Sequence, residues 1–130
     1  MPFRVRRVVA VSPNVLWQAL IDTRQWPKWG PSIIAVDCPD RFVVAGSRGR
    51  VRTAAGVWLP FRITEFEDER FHYWHWNVCG VPATGHRLNT LTDSRTELIF
   101  EVPWAAAPYA LVCYEAARRL AALSEIGQSQ

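Results

Sequence analysis

Three histidines are the residues of this 130-residue chain whose chemistry suits proton transfer or metal binding near neutral pH. His72 and His75 lie in the aromatic run 71–78, and such a run, closed by a Gly-Val-Pro turn, predicts a strand. Side chains alternate between the two faces of a strand, so His72 and His75 point in opposite directions and cannot share an ion without a bulge. No carboxylate or cysteine lies at ligand spacing, and we therefore predict no metal site.

His86 lies in the middle of the next predicted strand, between Gly85 and Leu88. If its pKa stays near neutral in an apolar cavity, His86 can move a proton in a cyclisation or a dehydration. The alternative is a buried histidine that is hydrogen-bonded to a tyrosine or to the backbone. We favour this alternative because the sequence shows no second catalytic group beside it. His86 is nevertheless the candidate catalytic residue.

Cysteines and the common catalytic motifs add no further chemistry. Cys38, Cys79 and Cys113 are odd in number and far apart, which indicates reduced thiols rather than disulfides or a zinc site. Cys113 falls on the inner stripe of a predicted helix, where a cysteine is usually a small apolar residue. The sequence has no glycine-rich phosphate loop, Ser-His-Asp spacing or paired carboxylates, and we predict no cofactor.

The N-terminal part of the chain predicts one strand and two short helices. Apolar residues alternate from Phe3 to Val11, as in a strand. Ser12 and Pro13 supply an N-cap and a proline at the first helical position, so a helix is expected from Pro13 to about residue 22. The prolines of segment 26–31 predict a turn or a second short helix whose tryptophans plug one end of the core.

From residue 32 to about residue 102 the pattern predicts strands, with an extended or loop piece at 41–44. In the last strand Leu98 and Phe100 share one face, opposite Glu97 and Glu101. The sheet is therefore expected to have one solvated face and one covered face, as antiparallel sheets usually do. The predicted strands are 32–38, 46–53, 57–67, 71–78, 83–92 and 95–102.

A long amphipathic helix is predicted after Pro108 and is expected to cover the sheet. Residues 127–130 are predicted to form a frayed tail, so a single domain spans residues 1–126. A strand, short helices, a run of strands and one long helix give an α+β order. The apolar stripe of the long helix consists of Tyr109, Val112, Cys113, Ala116, Leu120 and Leu123.

Composition and charge limit the function classes. The net charge is only +3, which is weak evidence for nucleic-acid binding, and we predict no nucleic-acid partner. No apolar run approaches the roughly 20 residues of a membrane span, and the basic N-terminus does not lead into a signal core. We therefore expect no membrane span and a cytoplasmic location. The oligomeric state stays open, with a homodimer among the options.

An arginine stripe, formed by Arg48, Arg50 and Arg52, alternates along one predicted strand. Nucleic acid or anionic lipid could bind such a stripe. We instead predict a solvated convex face in which the arginines lie opposite Glu65 and Glu67 of neighbouring strands.

Three segments carry a resemblance to a known superfamily. Residues 9–22 resemble its strand followed by an "ap-e-vW-vL-D" helix, and residues 26–31 are similar to its "wp-W-p" segment. Residues 95–98 lie where the superfamily often has Gly-Thr-Arg-Val, although Ser94-Arg95 replaces the usual glycine. On these residues the chain resembles the SRPBCC superfamily over almost its whole length. That superfamily includes START lipid-binding domains, birch-pollen allergens and polyketide cyclase/dehydrase-like proteins.

The resemblance implies a helix-grip fold, in which a curved antiparallel sheet grips the C-terminal helix around a mainly apolar ligand cavity. A register error of one residue swaps the two faces of a strand, so strand 71–78 lines the cavity either with Trp74 and Trp76 or with Tyr73 and His75. We choose the tryptophans. The predicted ligand-binding residues are Trp74, Trp76, His86, Leu88, Leu98, Phe100, Tyr109, Val112 and Cys113.

Three functions follow from the resemblance, and we favour the first. It is the binding of a small hydrophobic or aromatic molecule in the internal cavity, as a carrier or sensor. The second is a polyketide cyclase/dehydrase-like enzyme in which His86 is the acid–base residue and Tyr73, Tyr109 or Arg62 orients an oxygen. The third is a protein-partner module of the chaperone-activator type, which would use the exposed face of the sheet.

Overall fold

Seven antiparallel strands form one sheet in the computed structural model of the chain, which describes residues 3–69, 71–103 and 110–129. In space the strands follow the order β1-β7-β6-β5-β4-β3-β2. This is the predicted α+β helix-grip arrangement. The helices are α1 (Pro13–Ile21), α2 (Trp26–Trp29) and α3 (Ala110–Ser129). The strands are β1 (Phe3–Val9), β2 (Ile33–Asp37), β3 (Arg48–Thr53), β4 (Trp58–Glu67), β5 (His72–Val78), β6 (Val81–Thr92) and β7 (Arg95–Val102).

Helix α1 begins where the sequence predicts. The side-chain oxygen of Ser12 accepts a hydrogen bond from the backbone N–H of Val15 at 3.4 Å. Pro13 occupies the first turn, where a missing backbone N–H costs nothing. Leu16 and Leu20 are fully buried, so one face of this short helix points into the core.

The two tryptophans of α2 close one end of the core, as predicted. Trp26 and Trp29 are both buried. The indole N–H of Trp26 donates to the carbonyl of Leu20 at 3.0 Å, and that of Trp29 donates to the carbonyl of Ala19 at 3.2 Å. These bonds satisfy donors that are costly to bury unpaired, and they join α2 to the end of α1.

Helix α3 packs mainly against one part of the sheet. Its principal contacts are with β1, β7 and the two short helices. Among the described residues, α3 gives the inner face of β3, β4 and β5 little cover. The described buried residues of α3 are small or apolar, namely Cys113, Ala116, Ala117, Leu120, Ala121 and Ser124.

The backbone of α3 continues to Ser129, so residues 127–129, predicted as part of a frayed tail, are helical. Gly127 costs about 1 kcal/mol relative to alanine inside a helix, but the segment has no proline to block the backbone hydrogen bonds. Within the described part of the chain, no helix is long and apolar enough to cross a membrane.

A β-bulge in β4 shifts the alternation of that strand. Thr64 and Glu65 together lie opposite His75 of β5. Because a bulge adds one residue to one strand, the side chains beyond it change faces. Ile63 and Phe66 therefore both pack into the core although they are three residues apart.

The arginine stripe is exposed on the outer face of β3, as predicted, but the predicted acidic partners are wrong. The β3–β4 hairpin pairs β3 with only the first half of β4, from Trp58 to Arg62. Glu65 and Glu67 lie beyond the end of β3 and pair with β5 instead. The stripe meets an acidic residue at the other neighbouring strand, because Arg50 forms an ion pair with Asp37 of β2 at 3.0 Å.

Candidate functional site

An aromatic cluster fills the middle of the inner sheet face. The ring of Trp74 stacks on Trp26, with centroids 5.4 Å apart, and on His86, with centroids 3.7 Å apart. Trp76 contacts Trp26 edge-on at 5.5 Å and Phe61 at 5.6 Å. Trp74 and Trp76 are only 1% and 7% exposed. Of the two registers left open by the sequence, the structure has the one that places the tryptophans inside.

Both ring nitrogens of His86 have hydrogen-bond partners. Nδ1 lies 3.3 Å from the carbonyl oxygen of Trp74, which can only accept, so Nδ1 carries the proton. Nε2 then accepts the hydroxyl proton of Thr84 at 3.1 Å. The oxygen of Thr84 in turn accepts from the indole N–H of Trp76 at 3.0 Å. This directed chain fixes the tautomer and the orientation of His86.

A second β-bulge brings Thr84 into this chain. Ala83 and Thr84 of β6 together lie opposite Trp76 of β5. The extra residue lets the Thr84 hydroxyl meet the indole N–H of Trp76 while the side chain of Ala83 remains half-buried. Simple alternation along β6 cannot predict this arrangement, because the sequence contains no distinct signal for the bulge.

Burial lowers the pKa of His86 from 6.5 to about 3, because desolvation penalises the charged imidazolium. The hydrogen bond to the backbone of Trp74 opposes this shift but is the smaller cause. His86 is therefore uncharged near neutral pH. These contacts are those of a buried histidine bonded to the backbone, which was the alternative to an acid–base role.

The space between the sheet and α3 is almost filled. The cavity there has a volume of only about 30 Å³. Since one water needs about 10–15 Å³ of such volume, the cavity admits one or two waters and no larger ligand. The predicted ligand-binding residues that line it are Trp74, Trp76, His86, Phe100, Val112 and Cys113.

The other predicted ligand-binding residues have different positions. Leu88 and Leu98 are buried in the core, 3% and 0% exposed, and line neither this cavity nor the pocket next to it. Tyr109 lies outside the described residues. Six of the nine predicted residues therefore lie around the small cavity, and their role in ligand binding stays a prediction.

A larger pocket of about 200 Å³ lies beside the small cavity. The two spaces share Ser32, Ile33, Trp76 and Thr84 as wall residues. No described residue of α3 lines the larger pocket, which fits the weak cover that α3 gives to the middle strands. The apolar walls of the pocket include Ile33, Val51, Leu59, Trp76, Val78 and Ala83.

Of the predicted site residues that the structure describes, only Trp76 lines the larger pocket. Val51 could have been predicted from the sequence, because alternation places it on the strand face opposite the arginine stripe. Leu59 lies on the inner face of β4, and the same argument would have found it. Ala83 lies at the bulge and had no such signal.

Charged side chains are absent from the walls that the described residues form. Neither cavity is lined by a described Asp, Glu, Lys or Arg. Burial raises the pKa of Cys113 to about 12, so its thiol is neutral. Within the described ranges, no three His, Cys, Asp or Glu side chains are grouped to hold a metal ion.

Two residues predicted to orient a substrate oxygen lie on the outer face of the sheet. Arg62 is exposed beside the arginine stripe, directly opposite Arg48. The ring of Tyr73 packs under the guanidinium of Arg87 at 4.5 Å. Burial, with the negative charge of Glu65, raises the pKa of Tyr73 to about 12. Alternation puts both residues on the side of the sheet away from the two cavities, so neither faces the space in which the ligand was expected.

Comparison with known families identifies the chain. A family model described as polyketide cyclase/dehydrase and lipid transport matches residues 2–101. The chain belongs to this family. The matched residues include all strands except the last residue of β7, and the predicted superfamily resemblance is confirmed. No curated protein sequence matches the chain.

Solved structures of this family's fold share little sequence with the chain. The Zhui aromatase/cyclase from Streptomyces sp. R1128 has a TM-score of 0.73 at 14% identity, covering 96% of this chain and 93% of that chain. The di-domain aromatase/cyclase StfQ from the steffimycin biosynthetic pathway has a TM-score of 0.73 at 11% identity, covering 98% of this chain and 46% of that chain. A protein from Nitrosospira multiformis has a TM-score of 0.75 at 14% identity, with both chains covered to 100%. These likenesses show the fold.

Proposed function

We propose that this family member binds a small hydrophobic or aromatic molecule in the larger pocket, as a carrier or sensor. The observation that carries the proposal is a pocket of about 200 Å³ whose walls are mostly apolar and which adjoins the aromatic core. Protein interiors leave few voids larger than a water molecule, because unfilled space forfeits dispersion contacts. A pocket of this kind, with mostly apolar walls and a few polar groups, is typical of small-molecule sites.

The size of the pocket limits the ligand to about one aromatic ring with short substituents. An apolar cavity of about 150 Å³ in another protein binds benzene, and the present pocket is only somewhat larger, at about 200 Å³. Trp76 offers a ring edge or face for contact with a planar molecule, and Ile33 and Leu59 offer aliphatic contact. The family description, which joins cyclases with lipid transport, agrees with a ligand of apolar character.

The cyclase-like activity has less support than binding alone. His86 would have to accept a proton at Nε2, which already accepts a hydrogen bond from Thr84. The low pKa of His86 opposes such a step near neutral pH. The observation in favour of activity is the fold shared with two aromatase/cyclases. The function as a protein-partner module stays a prediction that rests on the exposed arginine stripe.

Calorimetric titration with benzene, toluene, naphthalene and anthracene tests the binding function. We expect saturable one-to-one binding of the one-ring compounds and weaker or no binding of anthracene, because three rings exceed the pocket. Ala83→Phe places a ring in the pocket and should weaken toluene binding on the order of 10-fold or more, since the inserted ring competes for the same space.

Ala122→Phe is the matched control, because Ala122 is exposed on α3 and lines neither cavity. This variant should bind toluene as the wild type does. Absence of binding by all four hydrocarbons would refute the proposal. Equal binding by the wild type and Ala83→Phe would place the site elsewhere.

A further inference from the structure

The walls of the two cavities are uncharged where the structure describes them, and the proposed ligand has to match this property. No described Asp, Glu, Lys or Arg faces the two cavities, and the sequence of residues 104–109 contains none either. His86 is fully buried with both nitrogens bonded, so it offers no charge to a ligand. An ionised ligand would lose its hydration without gaining a partner of opposite charge, which is strongly unfavourable.

One polar group in the walls that the described residues form around the two cavities has no partner. The indole nitrogen of Trp74 is buried and has no hydrogen-bond partner among the described residues. Trp74 itself is 1% exposed and lines the small cavity. The other indole donors of the cluster are satisfied, because Trp26 donates to Leu20 and Trp76 donates to Thr84. Leaving a buried donor unpaired costs more than a typical hydrogen bond contributes, so the site favours a ligand that supplies an acceptor.

The small cavity that Trp74 lines adjoins the larger pocket. Trp76 and Thr84 lie in the walls of both. A ligand with its ring in the larger pocket can therefore direct one small substituent towards Trp74. The volume of about 30 Å³ on that side limits the substituent to about the size of one or two waters.

Resting on the proposed function, we infer that the ligand is an uncharged one-ring molecule that carries a single small hydrogen-bond acceptor, such as a carbonyl or ether oxygen, directed at the indole N–H of Trp74. The ring occupies the larger pocket and the acceptor occupies the small cavity. Carboxylates and ammonium compounds of the same size are excluded by the neutral walls.

Calorimetry with three probes of similar shape tests this inference: styrene, benzaldehyde and benzoate. Benzaldehyde should bind, whereas benzoate should bind on the order of 100-fold more weakly or not at all. Trp74→Phe keeps a ring in the cluster and removes the N–H. It should lower the affinity for benzaldehyde about 3- to 10-fold more than the affinity for styrene, which is the usual range for one neutral hydrogen bond.

Trp17→Phe is the control variant, because Trp17 is a buried tryptophan of α1 that lines neither cavity. It should leave the ratio of benzaldehyde to styrene affinity unchanged. A measurement on the wild type needs no substitution: the proton resonance of the Trp74 indole N–H should move downfield on addition of benzaldehyde and should not do so on addition of styrene.

The possible failures are distinguishable. Binding of benzoate as tight as that of benzaldehyde, or an unchanged affinity ratio in Trp74→Phe together with a static indole resonance, would overturn the inference and leave the proposed function standing. Absence of binding by both styrene and benzaldehyde would overturn the proposed function and the inference with it.

Discussion

Two neighbouring regions of the same sheet face differ in how completely they are filled. Around Trp74 and His86, aromatic rings stack on one another and leave a cavity of about 30 Å³. Around Val51 and Leu59, aliphatic side chains leave a pocket of about 200 Å³. Among the described residues of α3, Val112, Cys113 and Ala116 line the first region and none lines the second.

We attribute the difference to the position of α3. The helix packs against β1 and β7, and its contacts with the middle strands are few among the described residues. Large rings from α2 and β5 fill the space near the helix. Beyond their reach, the aliphatic residues of β3 and β4 are too short to fill the remaining volume. The filled region therefore stabilises the fold, and we propose that the open region binds the ligand.

Trp26→Ala should produce the largest loss of stability. Trp26 is 1% exposed, stacks on Trp74 and donates a hydrogen bond to Leu20. Its truncation leaves a large void, and we expect the free energy of unfolding to fall by about 3–5 kcal/mol. Leu59→Ala, in the half-buried wall of the open pocket, should cost only about 1 kcal/mol. Urea denaturation of both variants checks the comparison, and equal losses would contradict it.

Acidification should destabilise the filled region through His86. Its pKa is lowered from 6.5 in the unfolded chain to about 3 in the folded protein, so the unfolded state binds a proton first as the pH falls. The contribution of His86 to the free energy of unfolding is complete above about pH 6.5 and is lost progressively down to about pH 3. Between pH 7 and pH 4.5 this loss is about 2.5 kcal/mol, from 1.36 kcal/mol for each unit of pKa.

Denaturation of the wild type and of His86→Gln at several pH values isolates this contribution. Glutamine does not titrate, whereas the carboxylates and the other histidines titrate alike in both proteins and cancel in the difference. The wild type should lose more stability than the variant between pH 7 and pH 4.5. Parallel curves would mean that the pKa of His86 is the same in the folded and the unfolded protein.

Thr84→Val removes the middle of the hydrogen-bond chain without changing the shape of the side chain. The indole N–H of Trp76 and Nε2 of His86 then lose their partners. We expect a cost of about 2 kcal/mol in the free energy of unfolding, since buried polar groups are left unsatisfied. Thr90→Val, at an exposed position of the same strand, should change the stability by less than about 0.5 kcal/mol. Similar effects of the two substitutions would show that the chain is energetically unimportant.

Among the substitutions inside the two compared regions, Ala83→Phe should have the smallest effect on stability. The added ring enters space that is already empty, so the change in the free energy of unfolding should stay within about 1 kcal/mol, although ligand binding is blocked. A large destabilisation in thermal denaturation would mean that the pocket is closed in solution.

The sequence predicts the architecture well because its signals are local. Ser12 and Pro13 mark the start of α1, and the alternation in β7 identifies which side chains are buried. Alternation also limits the inner residues of β5 to two sets, of which the structure has Trp74 and Trp76. These features depend on neighbours in the chain, which can be read directly.

The pocket is harder to predict, because it depends on which elements fail to pack against each other. The bulges at Thr64 and Ala83 change the alternation without a marker residue. The poor cover over β3 and β4 follows from where α3 lies in space, which no local pattern encodes. Leu88 and Leu98 show the same limit. Alternation predicts that they face inward, but it does not predict that the space in front of them is filled.

Methyl-labelled NMR during a titration with toluene tests the central claim most directly. The claim predicts saturable shifts of the methyl groups of Val51, Leu59, Val78 and Ala83, which line the open pocket. The methyl groups of Leu88 and Leu98, buried in the filled core, should move much less. Shifts confined to exposed residues such as Leu91 and Leu111, or no shifts at saturating toluene, would contradict a ligand site in this pocket.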